Sequence, residues 1–333
     1  MNQSSNQNYF SSAFKLGILG GGQLGKMLLY NTRKFDIYTT VLDPSNEAPC
    51  KIACNEFYKG DLMDFDTVYN FGKHVDVLTI EIENVNVEAL KKLEREGIKV
   101  YPSAKTLETI QNKAKQKLFY VDHNLPTAEF SRFAYKHEII TAIEHESLSF
   151  PFVWKSAQFG YDGNGVKIVR NDSDLKSLPN IECITEKVVP FKNELAVIVA
   201  RNVKGHVKVY PVVEMEFHPE ANQVEYVICP ARIEDTVAQK AQEIALKVVK
   251  DLDFIGLLAV EMFQTEADTI LVNEVAPRPH NSGHYSIEAS DTNQFEQHLR
   301  SILNLPLGNT ESTVAGIMVN LVGEEGFSGA VVY

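Results

Sequence analysis

Two glutamates in the C-terminal third of the sequence are the clearest sign of chemistry. Glu261 and Glu274 are 13 positions apart, in two apolar segments, LAVEMF and LVNEVAP, separated by a short turn around residues 266–268. A hairpin with this turn brings the two carboxylates face to face or nearly so. Buried carboxylates repel each other unless a cation lies between them. Mg²⁺ fits because it takes few carboxylates and fills its coordination sphere with phosphate and water. The spacing predicts a magnesium site supported by Asn273; two solvated carboxylates on an outer face are the alternative.

A lysine and a glycine-rich loop form the second pattern. Lys155 lies in an apolar segment, and Gly160, Gly163 and Gly165 follow it in FGYDGNGV. Glycines let backbone amides approach an anion without obstruction by side chains, and an upstream lysine supplies a point charge for phosphate. The pattern differs from a P-loop, in which the glycines lead into a helix. It predicts a hairpin lid over a triphosphate, with an ordinary hairpin tip as the alternative.

The segment APRPHNSGHYS, which begins two residues after Glu274, concentrates polar groups beside the predicted metal. Arg278 suits a carboxylate, bicarbonate or phosphate. A zinc site at His280 and His284 needs further ligands, and we find none in the nearby sequence. A purely structural loop is the other alternative.

The segment TEKVVPFKNELAV, 185–197, reads as a strand that leaves one domain and enters the next. Such a strand offers backbone groups to the edge of a purine, and Glu194 offers a carboxylate to ribose hydroxyls. By itself this pattern is also that of a connecting strand with a surface glutamate.

A glycine-rich turn near the N-terminus adds a third possible anion site. Residues 20–25 read GGGQLG, between a predicted strand and a predicted helix, and Asp43 follows about twenty residues later. This spacing is typical of an NAD-binding fingerprint. Because the rest of the chain already carries a separate nucleotide site, we interpret the turn as an anion cradle at a helix N-terminus.

The elements that must position these groups fall into two patterns. Residues 14–102 alternate short apolar segments with helical segments, which predicts an open parallel sheet of the α/β class. One long helix or two abutting helices follow. From about residue 150, strands with short turns and an amphipathic helix over 235–253 predict an antiparallel α+β region, and a last strand begins near residue 313.

Composition narrows the classes of function. The chain has 333 residues and a formal net charge of −12, which argues against a non-specific nucleic-acid binder, because such a protein needs a basic face. The sequence has no apolar segment long enough to span a membrane, so neither nucleic acid nor membrane is an expected partner. The first dozen residues read as a loose tail rather than a signal peptide. Four scattered cysteines are expected to be reduced and structural, in a cytoplasmic protein.

The order of these motifs resembles the ATP-grasp family. The sequences GYDGNG, NEVAPRPHNSGHYS, GILGGGQLG and EIENV are together most similar to its ATP-dependent carboxylases of aminoimidazole ribonucleotide, over residues 14–323. The resemblance implies a Rossmann-like pre-ATP-grasp domain, an ATP-grasp fold and a small C-terminal β segment. The implied bounds are a disordered tail 1–13, a first domain 14–110, a small lid subdomain 111–190, a large subdomain 191–308 and the start of a C-terminal domain 309–333.

The resemblance also implies an activity. The implied enzyme is a carbon–nitrogen ligase of purine biosynthesis. ATP, with Mg²⁺ or Mn²⁺, would phosphorylate bicarbonate to carboxyphosphate, whose carboxyl group passes to the amine of aminoimidazole ribonucleotide. A homodimer is the implied assembly. The alternatives are another ATP-grasp ligase, such as the formate-dependent glycinamide ribonucleotide transformylase, an NAD-dependent oxidoreductase, and a non-catalytic nucleotide-binding scaffold.

Residue roles follow from the same resemblance. The implied metal ligands are Glu261 and Glu274, and the implied catalytic groups are Glu81, Arg278 and His280. The implied ATP contacts are Lys113, Lys155, Gly160, Tyr161, Asp162, Gly163, Asn164, Gly165, Val166, Glu186, Lys187, Val188, Val189, Glu194, His218, Asn273 and Glu274. The implied contacts to bicarbonate and the ribonucleotide are Gly22, Gln23, Leu24, Glu81, Asn84, Tyr161, Asp162, Arg278, His280, Asn281 and Ser282.

The sequence departs from the family pattern at two places. The lid has Asn164 where the family usually has a basic residue, so we expect weaker or different recognition of the substrate phosphate. The family also has a C-terminal segment with a lysine- and histidine-bearing motif that reaches the substrate. The sequence up to Tyr333 has no match to this motif, and we expect the C-terminal domain to be incomplete.

Overall fold

The computed structural model describes residues 13–158, 165–217 and 224–321. The predicted lid residues Gly160, Tyr161, Asp162, Gly163 and Asn164, and the predicted nucleotide contact His218, lie outside the described residues. The first twelve residues of the predicted N-terminal tail and the last twelve residues of the predicted C-terminal domain also lie outside them.

The first sheet is parallel, as the sequence predicted. Its elements are β1 (Lys15–Leu19), α1 (Gln23–Lys34), β2 (Tyr38–Asp43), β3 (Glu56–Lys59), α2 (Phe65–Gly72), β4 (Val77–Ile80), α3 (Val87–Arg95) and β5 (Lys99–Tyr101). The strand order is β3-β2-β1-β4-β5. Strands β1 and β4 are almost fully buried, which explains their continuous apolar sequences. The sequence did not predict β3, a short and half-exposed edge strand without an apolar run.

Two helices lead out of this sheet, α4 (Ala104–Ile110) and α5 (Lys113–Asp122). The pattern allowed one long helix or two, and the chain forms two. The side chain of Asn112 accepts a hydrogen bond from the backbone N–H of Lys115 at 2.9 Å, so Asn112 caps α5 and separates it from α4. As a consequence, Lys113 lies in the first turn of a helix.

The next domain is a small antiparallel sheet with two helices. Its elements are β6 (Phe130–Phe133), α6 (Lys136–Glu144), β7 (Phe152–Ser156), β8 (Val166–Val169), α7 (Asp172–Lys176) and β9 (Cys183–Lys187). The order is β6-β9-β7-β8. A core that includes Ile139, Phe152 and Trp154 fills the space between this sheet and its helices. The small sheet therefore holds Lys155, on β7, and Glu186, on β9, next to each other.

The large sheet is antiparallel. Its elements are β10 (Phe191–Arg201), β11 (Val207–Val209), β12 (Val213–Phe217), β13 (Val224–Cys229), α8 (Asp235–Asp251), β14 (Gly256–Thr265), β15 (Ile270–Ala276), α9 (Ser286–Ala289), α10 (Gln294–Ile302) and β16 (Gly316–Val319). The order is β15-β14-β10-β12-β13-β16, and β11 pairs with β10. Helix α8 covers one face, where Val237, Ala241 and Val248 pack against the strands.

Helix α10 joins the first sheet to the large sheet. Its apolar residues Phe295 and Leu299 share one core with Leu16 and Ile18 of β1. On the same helix His298 is buried, and its Nε2 lies 2.9 Å from the hydroxyl of Thr79 on β4. Burial lowers the pKa of His298 to about 4. Helix α10, which also contacts β10 and β14, is thus fixed to the first sheet by apolar packing and by a hydrogen bond between Thr79 and a neutral histidine. Within the described segments, no helix is both long and apolar enough to cross a membrane.

Candidate active site

A cavity of about 1130 Å³ lies where the first sheet, the small sheet and the large sheet meet. Most of the predicted site residues that the structure describes line it. They are Asn84, Lys113, Lys155, Val166, Glu186, Lys187, Val188, Val189, Glu194, Glu261, Asn273, Glu274, Arg278, His280 and Asn281. Residues separated by almost 200 positions in the chain therefore line the same cavity.

The two glutamates of the β14–β15 hairpin face each other, as their spacing predicted. The strand register pairs Glu261 directly with Glu274, beside a β-bulge. The Nζ atom of Lys113 bonds to the Glu274 carboxylate, and the His280 Nε2 lies 3.2 Å from an oxygen of Glu261. Burial acts to raise the pKa of Glu274, but the charges of Lys113 and Lys155, with the hydrogen bond from Lys113, together outweigh it and lower this pKa. Glu274 is therefore held as a carboxylate.

These donors fit Mg²⁺. Two carboxylates on adjacent strands offer hard oxygen ligands, and the open cavity leaves room for phosphate and water, which Mg²⁺ prefers as its other ligands. Zinc fits less well, because His284 is hydrogen-bonded to Gln294 at 3.0 Å. Among the described residues, no group of three or more His, Cys, Asp or Glu side chains could hold a metal ion. A magnesium ion here would depend on phosphate oxygens to complete its coordination.

Two lysines and a glutamate form a charged cluster beside the glutamate pair. Lys155 contacts Asn273 at 2.8 Å and Glu186 at 2.9 Å. Lys117 contacts the other oxygen of Glu186 at 2.6 Å. Burial lowers the pKa of Lys117 to about 8, while Glu186 opposes this shift. Burial acts to raise the pKa of Glu186, but Lys155 and Lys117 outweigh it and lower this pKa.

Lys117 was not among the residues predicted from the sequence. It lies four residues after Lys113, and residues with this spacing share one face of a helix. This spacing was the signal in the sequence from which Lys117 could have been identified. The sequence offered no way to tell which of the lysines in NKAKQK is buried, because that depends on how α5 packs against β9.

His280 is held in one orientation by its neighbours. Its Nδ1 lies 2.9 Å from the Ser282 hydroxyl and accepts the Ser282 backbone N–H at 3.3 Å. Since Nδ1 acts as an acceptor there, we assign the proton of the neutral ring to Nε2, which donates to Glu261. Ser282 is fully buried behind His280 and does not line the cavity. It supports His280 in this structure, and its predicted contact with the substrate stays a prediction.

Arg278 is fixed by a residue that the sequence analysis named only as part of a motif. Its Nε lies 3.0 Å from the carboxylate of Glu83, in the loop after β4. The side-chain amide of Gln111 donates to the carbonyl oxygens of Glu83 and Val85 at 2.7 Å and 2.8 Å, which fixes that loop. Arg278 is 8% exposed. The first domain thus orients an arginine of the large sheet.

Glu194 lies on β10, opposite Phe263 of β14. Burial raises its pKa to about 7, and the nearby carboxylate of Glu261 adds to the effect. A carboxyl group in this state changes charge close to neutral pH. Phe263 stacks on Phe191 with ring centroids 4.7 Å apart, so Glu194 borders an aromatic wall of the cavity.

The glycine turn before α1 holds carboxylates of the protein itself. Asp43 accepts the N–H of Gly21 at 2.7 Å and the N–H of Ser45 at 2.7 Å, so both of its oxygens are engaged. A Cβ atom at Gly22 would lie 2.5 Å from Oε1 of Glu81, and one at Gly20, where φ is +95°, would lie 2.7 Å from Oε2. The glycines thus allow Glu81 to lie against the turn. The acid that an NAD site would use for ribose is already bonded to backbone.

Burial raises the pKa of Glu81, and the backbone N–H of Gly25 opposes this shift. Among the described residues, Glu81 and the turn residues Gly22, Gln23 and Leu24 do not line the cavity, nor does Gly165. Glu81 lies against the glycine turn in the first domain, whereas Gly165 directly precedes β8 of the small sheet. The predicted contacts of Glu81 and the turn with the ribonucleotide, and of Gly165 with ATP, therefore stay predictions.

Comparison with known proteins agrees with this arrangement. The model of the ribonucleotide synthetase preATP-grasp domain matches residues 13–111, and that of the ATP-grasp domain matches residues 118–295. The N5-carboxyaminoimidazole ribonucleotide synthase of Bacillus subtilis (strain 168) is 37% identical over 93% of this chain and 81% of the relative. The crystal structure of N5-carboxyaminoimidazole synthase from Aspergillus clavatus, in complex with ADP and 5-aminoimidazole ribonucleotide, has a TM-score of 0.86. It is 37% identical, over 94% of this chain and 83% of that one.

Some relatives are much longer. The chloroplastic phosphoribosylaminoimidazole carboxylase of Vigna aconitifolia is 38% identical over 93% of this chain, which spans 56% of that protein. The similarity to the bacterial synthase, in contrast, extends over most of both chains. This chain belongs to the N5-carboxyaminoimidazole ribonucleotide synthase family of ATP-grasp proteins.

Proposed function

We propose that this chain is an ATP-dependent carboxylase that converts 5-aminoimidazole ribonucleotide to its N5-carboxy derivative, for purine biosynthesis. The observation that carries the proposal is the meeting of three sets of groups in one cavity. Lys113 and Lys155 supply positive charge, Glu261 and Glu274 face each other, and Arg278 and His280 lie directly beyond them.

The first step is phosphoryl transfer. A bicarbonate oxygen attacks the γ-phosphorus of ATP, the bond to the β-phosphate oxygen breaks, and ADP leaves. This chemistry needs positioning and neutralisation of charge more than covalent help. We assign the binding of phosphate oxygens to Lys113 and Lys155 and that of bicarbonate to Arg278, because all three line the cavity. Mg²⁺ held by Glu261 and Glu274 would neutralise charge on the β- and γ-phosphates.

The second step is carboxyl transfer. Carboxyphosphate breaks at its C–O bond into CO₂ and phosphate. The exocyclic amine of the ribonucleotide then attacks CO₂, a C–N bond forms, and the amine loses a proton. Water must be excluded during this step, because carboxyphosphate hydrolyses. We assign that exclusion to the predicted lid, residues 160–166, of which Gly165 and Val166 continue into β8. The homodimer and the roles of Asn164 and His218 stay predictions.

Omission of each substrate in turn tests the proposed function. We expect ADP release by the full chain to need both bicarbonate and aminoimidazole ribonucleotide for full rate, with a fall of about tenfold or more when either is left out. A coupled assay for ADP measures this, and product carboxylation is followed with labelled bicarbonate. Stimulation by formate and glycinamide ribonucleotide instead would replace the proposal with the transformylase. Tight binding of NADH would favour the oxidoreductase.

A pH series tests the proposed ribose contact of Glu194. Its pKa is raised to about 7, so it is protonated below pH 7 and ionised above it. The ionised form accepts hydrogen bonds from both ribose hydroxyls and binds more strongly. We expect Glu194→Gln to match the unmodified protein in ATP affinity at pH 6 and to bind about tenfold more weakly at pH 8. Calorimetry measures the dissociation constants of Glu194→Gln and of the unmodified protein at each pH. Their ratio at one pH does not depend on the ionisation of ATP, because ATP is in the same state in both measurements. A ratio that stays constant with pH would refute the contact.

A further inference from the structure

A lysine lies behind the proposed ATP site without lining the cavity. Lys117 is 2% exposed, on the face of α5 that packs against the small sheet. Its Nζ lies 2.5 Å from the hydroxyl of Thr127 and 2.6 Å from Oε1 of Glu186. The Thr127 hydroxyl donates in turn to the carbonyl oxygen of Val272 at 2.8 Å. Lys117 is thus anchored to β15, one residue before Asn273.

Glu186 is shared between two lysines. Its Oε2 lies 2.9 Å from Nζ of Lys155, which also donates to Asn273 at 2.8 Å. The register of β7 and β9 places Lys155 and Glu186 diagonally on one face of the sheet. Lys155 lines the cavity, whereas Lys117 contacts Glu186 from the opposite side.

The charges in this cluster do not cancel. One carboxylate lies between two ammonium groups, and all three side chains are at least nine-tenths buried. Without Lys117, Glu186 and Lys155 would form a neutral buried pair and Lys155 would attract phosphate weakly. With Lys117 in place, the negative charge of Glu186 is already balanced, and the cluster presents one net positive charge to the cavity.

We propose that Lys117 is a positioning residue for ATP, which neutralises Glu186 from behind so that the charge of Lys155 remains available to the triphosphate. The inference rests on the ATP site proposed above. It differs from a structural role, in which Lys117 only stabilises the packing of α5 on β9. In that case its loss would lower the melting temperature and weaken all ligands alike.

Replacement of Lys117 distinguishes these roles. Lys117→Met keeps most of the volume and removes the charge. We expect the dissociation constant of the non-hydrolysable analogue AMP-PNP, with Mg²⁺, to rise about 10- to 100-fold. The dissociation constant of aminoimidazole ribonucleotide should change less than twofold. In turnover, KM for ATP should rise much more than kcat falls.

A second substitution gives the sharper test. In the double variant Lys117→Met, Glu186→Gln the carboxylate charge is removed as well, so Lys155 regains a free charge. We expect it to bind AMP-PNP at least threefold more tightly than Lys117→Met alone. If Lys117→Met does not fold, Thr127→Val decides the question, because it removes only one anchor of Lys117 and should weaken AMP-PNP about two- to fivefold. Lys92→Met, which removes an exposed helical ion pair with Glu96, is the matched control.

The results distinguish failure of this inference from failure of the proposed ATP site. Normal AMP-PNP affinity in Lys117→Met, an equal loss of both ligands, or a double variant weaker than the single one overturns the inference. If Lys117→Met does not fold, normal AMP-PNP affinity in Thr127→Val overturns it in the same way. In each of these cases the proposed function stands as long as the unmodified chain binds AMP-PNP. If the unmodified chain does not bind AMP-PNP, the ATP site itself is refuted.

Discussion

Glu274→Gln is expected to abolish coupled ATP turnover, with a loss of about a thousandfold or more. The amide keeps the size of the side chain and removes its charge. That charge pairs with Lys113 and faces Glu261 across the hairpin, where a magnesium ion would bind. The change therefore removes a metal ligand and also leaves a buried ammonium without its partner. ADP release at saturating concentrations of all three substrates measures the loss.

The hairpin supplies its own control for this variant. Glu266 lies in the exposed turn between β14 and β15, so Glu266→Gln changes the charge by the same amount and should keep normal turnover. Titration with Mn²⁺ gives a readout that does not depend on activity, and Glu274→Gln should bind the ion at least tenfold more weakly in the presence of AMP-PNP. Near-normal turnover in Glu274→Gln would falsify the metal assignment.

The sequence was sufficient where local pattern and burial agree. The strands around Ile18 and Val41 are buried on both faces, so uninterrupted runs of apolar and β-branched residues mark them in the sequence. Strands β3 and β6 are half exposed, with the sequences EFYK and FSRF, and no such run marks them. The apolar segment 207–217 forms two strands, β11 and β12, with Pro211 between them, because proline has no N–H to continue a ladder.

The candidate site also has features that local sequence predicts and features that it does not. The facing of Glu261 and Glu274 depends on one turn and 13 residues, so spacing could predict it. The ion pair of Lys117 with Glu186 joins α5 to β9, and that of Arg278 with Glu83 joins the large sheet to the first domain. Such pairs depend on the packing of elements that are distant in the chain, which local sequence does not encode. Sequence therefore found the groups that line the cavity more readily than the groups that hold them.

The glycine turn illustrates why a motif predicts geometry better than it predicts a ligand. Its glycines are required because Glu81 approaches within a distance that no Cβ at Gly20 or Gly22 would allow. The same absence of side chains in a dinucleotide site admits a pyrophosphate. Here Asp43 bonds to the backbone of the turn itself, so the spacing of an NAD fingerprint is present while its ribose contact is already occupied.

Arg278→Ala is expected to lower bicarbonate-dependent ADP release by about a hundredfold or more, with AMP-PNP affinity changed less than threefold. Arg278 is buried at the cavity wall beyond the two glutamates, and its guanidinium is fixed by Glu83 at 3.0 Å. Bicarbonate and carboxyphosphate are planar anions at their carboxyl ends, which a planar, fixed guanidinium binds with two parallel hydrogen bonds. ADP release measured against bicarbonate concentration, with ATP saturating, detects the change.

One further variant shows whether the geometry or the charge of Arg278 is responsible for bicarbonate binding, and another is its control. Arg278→Lys restores the charge without the planar fork, and we expect it to recover less than a tenth of the lost rate, because a lysine offers a point charge on a flexible stem. Arg95→Ala, at an exposed position at the end of α3, controls for the loss of an arginine and should behave as the unmodified chain. Full activity in Arg278→Lys would mean that long-range charge is sufficient. Equal losses of AMP-PNP affinity and turnover in Arg278→Ala would instead place Arg278 at the nucleotide, and the bicarbonate site would have to be sought at His280 and Asn281.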